Sequence, residues 1–246
     1  MSFYDLDASS TKSRAEQLVD KDKDGSKQRE RVSAHAPSNV EDHELLARSL
    51  EYPSKFDAQG GLNDSLFQDA FTHGASAQRL PGGWEKHSAD VHNRFETRAK
   101  ARREGSGEKS ASPDFIYVGT FHMTAGELRK CRLLGDGNGD DTARVRVYDA
   151  GHEASDSLHA DIIADASGLK KQQRHELRVR LMNLAEQRGL HVSPYLDSEG
   201  QLRAESSQCV LVQPSENMLP KSKQEATHDV GGEAIASLPP PGDVTI

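Results

Sequence analysis

His159 and Asp161 stand two residues apart in a stretch, Leu158 to Ala164, that alternates apolar and polar residues. Alternate side chains of a strand point the same way, so an imidazole and a carboxylate there project side by side. Such a pair can ligate a metal or act as acid and base, and Asp165 follows a few residues on as a third candidate. The reading this supports is a metal-assisted enzyme built on His159, Asp161 and Asp165. A solvated strand face carries the same residues without chemistry. Of the eleven histidines, His87 and His92 are five apart and diverge on a helix. The chain has no phosphate-cradling glycine loop, serine nucleophile elbow, HExxH or His–Cys pairing of recognisable spacing, so no cofactor is expected.

Two acidic runs imitate calcium loops. Asp20-Lys-Asp-Lys-Asp-Gly25 reproduces the first six positions of such a loop, but the twelfth is Arg31 where a bidentate Glu is needed. Asp136, Asn138 and Asp140 repeat the alternation with Asp141 in place of the glycine, and a turn accounts for them. Cys131 and Cys209 are far apart and lack zinc spacing, so neither a metal site nor a disulfide framework is expected.

The elements that would position these groups crowd between Asp114 and Leu196. Phe115 to Met123 is apolar on both faces, as a central strand would be. Thr124 and Glu127 form a capping box for a helix of about three turns ending before Gly135. Ala143 to Tyr148 alternates as a strand with Val145 and Val147 inward, and Leu158 to Ala164 reads as its antiparallel neighbour. Leu177, Leu181 and Leu184 mark a long helix over Leu169 to Arg188, with Gly189 as its left-handed cap. Leu190 to Leu196 then returns as an edge strand containing Pro194, and Cys209 to Val212 adds a further short strand. The expected fold is α+β, with a small ferredoxin-like core of order β-α-β-β-α-β.

Within that order, Ile116-Tyr117-Val118-Gly119-Thr120-Phe121 resembles the first-strand motif of RNA-recognition-motif domains, and Glu127-Leu128-Arg129 sits where their first helix begins. The resemblance covers about a dozen residues. It implies RNA or single-stranded nucleic-acid binding by the sheet face, with Tyr117 as the first stacking platform. The third strand departs from the family, with His159-Ala-Asp-Ile-Ile where that family alternates glycine and aromatics. Lys171, Arg174 and Arg178, at i, i+3 and i+7, line one side of the long helix and could neutralise phosphates, or simply snorkel over the core edge.

Outside this region the chain is polar. Apolar residues make up 34% and aromatics 5% of 246 residues, and the mean hydropathy is -0.75, so one modest core is expected. Residues 1–41 and 214–246 read as disordered tails, and 105–113 as a linker before a core domain over 114–213. Residues 42–104 read as a helical extension, with one helix at Asp42 to Leu50 halted by Pro53 and a second among Leu62 to Phe71. A third covers Glu85 to Glu104, with Val91, Phe95 and Ala99 as a thin stripe. Trp84, after Pro81-Gly82-Gly83, reads as a packing anchor. The net charge of -8 disfavours general attraction to nucleic acid or an anionic membrane. No apolar run suits a signal peptide or a spanning helix, which predicts a cytoplasmic protein with no membrane association. Thin-faced helices between long tails favour a non-enzymatic accessory or adaptor protein acting on a protein partner.

Overall fold

The computed structural model describes residues 3–57, 62–105, 111–133, 144–151 and 156–196. A six-stranded sheet organises them. Its strands are β1 (Leu45–Tyr52), β2 (Ala75–Leu80), β3 (Ile116–Thr124), β4 (Val145–Asp149), β5 (His159–Ala164) and β6 (Leu190–Val192). The helices are α1 (Arg14–Lys21), α2 (Trp84–Glu104), α3 (Ala125–Arg129) and α4 (Lys171–Gln187), with 3-10 turns at Lys27–Arg29 and Asp64–Phe71. The protein is α+β, as expected.

From β3 to β6 the elements follow the β-α-β-β-α-β order along the chain, but the sheet order is β4-β5-β2-β1-β3-β6 and every pairing is antiparallel. β1 and β2 stand between β3 and β5, the two strands a ferredoxin-like sheet sets side by side. This corrects the expected topology and the expected helical extension. Leu45, Leu46 and Leu50 fit a helical stripe, yet β1 is paired on both edges, and its six central residues are all buried. A strand covered on both faces loses the period-2 signature that would have identified it. Leu46 and Leu50 pack into the main core, while Ala47 packs on the other face beneath α2. Between them Arg48 is buried and donates from Nη2 to Leu66 O (3.0 Å) and from Nη1 to Ser76 O (2.6 Å).

The segment after β1 begins where the sequence places a helix start, with Asn63 Oδ1 accepting from Ser65 N (2.8 Å), but it winds as a 3-10 turn. Gly74, at φ +95°, then turns the chain into β2, where a Cβ would meet Ile163 Cδ1 at 2.9 Å. The Thr124–Glu127 capping box is present, with Glu127 N donating to Thr124 Oγ1 (3.2 Å) and Thr124 N to Glu127 Oε2 (2.8 Å). The helix it starts, α3, has five residues, shorter than expected.

The main core lies between one sheet face and α4, α3 and the second 3-10 turn, with Phe121, Met123, Val145, Val147, Ile162, Leu177 and Leu181 among its buried residues. The opposite face is covered twice. α2 lays Val91, Phe95 and Ala99 over Ala47, Leu80 and Tyr117, and α1 lays Ala15, Leu18 and Val19 over Tyr148 and Ile163.

This second cover corrects the reading of residues 1–41 as a solvated tail. Leu18 is fully buried. Ser13 and Glu16 cap α1 reciprocally, and Tyr4 donates its hydroxyl to Asp149 O (2.9 Å). The resemblance of Asp20–Gly25 to a calcium loop ends at Asp22, whose carboxylate accepts from Tyr148 Oη (2.7 Å) and Lys27 N (2.8 Å). A buried carboxylate already filled by protein donors serves as an anchor. Leu18→Ala is therefore expected to lower unfolding stability by about 2–5 kcal/mol, read from urea midpoints. A loss under about 0.5 kcal/mol would show that the N-terminal segment does not contribute to the core. The expected Cys209–Val212 strand, the tail 214–246 and the acidic turn at 136–141 lie outside the described residues.

Candidate functional site

His159 and Asp161 do project together, with His159 Nε2 3.4 Å from Asp161 Oδ1. Both are buried, and their polar atoms are committed. Arg14 Nη2 donates to Asp161 Oδ2 (2.6 Å), Arg94 Nη2 donates to Asp156 Oδ1 (2.5 Å), and Asp156 Oδ2 lies 3.7 Å from His159 Nδ1. Burial opposes ionisation of Asp161, but the hydrogen bond from His159 and the charge of Arg14 outweigh it and hold the carboxyl below its usual range. The result is an ion network that ties α1 and α2 across β5. Asp165 belongs to a separate pair, 3.4 Å from Arg146 Nη2. Among the described residues no group of three His, Cys, Asp or Glu side chains converges to hold a metal.

The two groups expected at a nucleic-acid surface lie on opposite faces of the sheet. Tyr117 is fully buried under α2, with Phe95 at 5.6 Å between ring centroids, and offers no open face to a base. A β-bulge puts it there. Leu50 pairs with Gly119 and Glu51 with Tyr117, so Val118 is skipped and Tyr117 turns away from the face that carries Phe121 and Met123. α4 covers that other face. Of its basic stripe, Arg178 Nε donates to Asp64 Oδ2 (2.7 Å) and Arg174 Nε to Leu169 O (3.2 Å), while Lys171 is exposed.

A different constellation surrounds Tyr117. His92 Nδ1 lies 2.8 Å from the Tyr117 hydroxyl, and Thr120 Oγ1 lies 3.3 Å from His122 Nε2. His122 stacks on His191 at 3.9 Å between centroids and 20° between planes. Trp84 caps the group, its ring 4.4 Å from His122, 4.7 Å from His191 and 5.1 Å from His92. Burial and the neighbouring His191, His92 and Arg188 push His122 down to about 3, and burial also lowers His92 and His191. At neutral pH all three rings are uncharged. Stacked imidazoles direct their nitrogens sideways and do not converge on a common point, so the cluster forms an aromatic floor with a polar thread through it.

That floor opens into a groove of about 460 Å³ between the N-terminal half of α2 and the end of β6. Trp84, Ser88, Ala89, His92 and Asn93 form one wall, and Val192, Pro194 and Tyr195 the other. The walls are tied where the Tyr195 hydroxyl donates to Asn93 Oδ1. Val192, 52% exposed, is the large apolar residue standing in solvent among the described residues. Such a site suits an apolar or aromatic side chain, held by contact area with few polar groups.

Sequence reasoning singles out Trp84 and Tyr117 separately and leaves His122 and His191 unassigned. The i, i+4, i+8 spacing of Trp84, Ser88 and His92 is a readable signal for one wall. Nothing local connects β3 to β6. β6 sits close because position 119 is glycine, where a Cβ would lie 2.4 Å from His191 O. No family model matches the chain, and no curated protein or solved structure matches it.

Proposed function

We propose that this chain is a non-enzymatic protein-interaction module whose recognition surface is the groove between α2 and β6. The observation that carries the reading is the exposure of Val192 beside a groove lined by Trp84, His92 and Tyr195. Tryptophan and tyrosine in a desolvated depression are typical anchors of protein interfaces, since they offer large contact area at small entropic cost. The groove's lining is uncharged, which suits an apolar anchor from a partner.

The experiment places a photo-crosslinking amino acid at Ala89, exposed on the groove wall, and separately at Lys100, exposed two turns or more further along α2. In the native cell, position 89 is expected to capture a defined protein and position 100 not to, and Ala89→Glu is expected to abolish copurification of that protein. Equal capture from both positions, or none from position 89, would sink the proposal.

A further inference from the structure

We infer that the groove receives an extended peptide that adds a seventh strand along the outer edge of β6, with an apolar residue over the Trp84 floor and a lysine or arginine beside it. This rests on the reading of the groove as a protein-recognition surface and names the class of partner.

The first support is the register of β6. Leu190, His191 and Val192 face Phe121, Thr120 and Gly119, and Ser193 N donates to Val118 O (2.8 Å). Antiparallel ladders alternate, so Ser193 and His191 are the residues that bond to β3. The N–H and C=O of Val192 therefore point away from the sheet, on a residue half exposed to water. β6 is the last strand on its side, and no described strand takes these groups. An exposed edge is the template for strand addition, in which main-chain bonds supply affinity and pockets read alternate side chains. The groove lies directly alongside, with Val192 and Pro194 in its wall.

The second support is charge. The lining is neutral, and a carboxylate stands near each end, Glu85 beside the exposed Lys86 and Glu96 paired with Arg103. Glu85 in the first turn of α2 is exposed, makes no salt bridge among the described residues, and is near enough to His191 to act on its ionisation. At the other end, one turn beyond Asn93, Glu96 accepts from Arg103 with Oε1 while its buried Oε2 has no partner. The nearby cation Arg188 is bound to Glu127 at 2.7 Å. A basic residue flanking the apolar anchor pairs with the exposed Glu85 carboxylate, and the net charge of -8 draws such a peptide in.

Trp84 is the chain's one tryptophan, so its emission reports occupancy directly. Ten-residue peptides are selected from a displayed random library against the full chain and titrated while Trp84 fluorescence is followed. Enriched peptides should alternate apolar residues with Lys or Arg and shift the emission. Val192→Pro deletes the outward N–H but keeps an apolar side chain and the β3 ladder, since an edge strand tolerates proline at a position whose N–H faces outward. Val192→Ala keeps the N–H. Binding to Val192→Pro should be about tenfold weaker than to Val192→Ala, and lost in Ala89→Glu.

Equal binding to the two Val192 variants, or no enrichment of basic residues, would overturn strand addition by a basic peptide. The groove reading itself would survive that result if Ala89→Glu still abolished binding. If no selected peptide perturbs Trp84, both fall together. Self-association in light scattering that Val192→Pro abolishes would identify a second copy as the occupant and overturn the peptide proposal.

Discussion

Replacing Arg79 with methionine is expected to cost about 3–5 kcal/mol of unfolding stability. Arg79 is 1% exposed, at the penultimate position of β2. Its guanidinium donates through Nε to Glu44 Oε1 (2.7 Å) and through Nη2 to Glu44 Oε2 (2.8 Å), a bidentate pair on a carboxylate that is itself buried. The same group donates to Ser38 O (2.7 Å) and Asn39 O (2.8 Å), which fastens the approach to β1. Methionine keeps most of the volume. It leaves one buried charge unpaired and two carbonyls without their donor, and that penalty exceeds the Coulombic gain of the intact pair. Adding Glu44→Gln to Arg79→Met should therefore recover part of the loss, and a double-mutant cycle in urea measures the coupling. A single-mutant cost under 1 kcal/mol would mean that water reaches Glu44, contrary to its burial.

Acid should weaken the fold well above the carboxylate range. His122 is held at about 3 in the folded chain and returns to about 6.5 on unfolding, so below pH 6.5 the unfolded state binds the proton that the folded state excludes. Stability from this residue is complete above pH 6.5 and falls as pH drops towards 3. Between pH 7 and pH 5 the loss is about 2 kcal/mol, and His92 and His191, lowered for the same reason, add to it with the same sign. His122→Phe preserves an aromatic ring against Trp84 and removes the titration. Stabilities from urea midpoints at pH 7 and pH 5 should lie about 2 kcal/mol closer together in that variant, with the remaining difference set by His92 and His191. If wild type and variant lose the same stability over this window, the acid sensitivity lies elsewhere.

What could be read locally was read from residues that act on their immediate neighbours. The Thr124–Glu127 box, the Val91–Phe95–Ala99 stripe and the leucines of α4 are each defined by spacing along one helix, so the helix shows in the sequence whatever the stripe packs against. The Ser13–Glu16 box of α1 is equally local and equally visible, but the polar composition around it masked a helix whose burial depends on two strands more than a hundred residues away. β1 failed for a related reason, because burial on both faces removes the alternation by which strands are recognised.

The sequence by itself determined the α+β class, the chain order of the elements from β3 to β6, and the neutral, aromatic character of Trp84 and its helix wall. Only the tertiary structure decided which face each candidate meets. Insertion of β1 and β2 between β3 and β5 set the sheet order, helices on both faces left no open platform, and a single skipped residue at Val118 put Tyr117 under α2 beside His92. A strand's faces alternate with every residue, so one bulge reverses an assignment that spacing alone would make. The groove needs α2, β3 and β6 to meet, and a meeting of three distant segments leaves no mark in the spacing of any one of them.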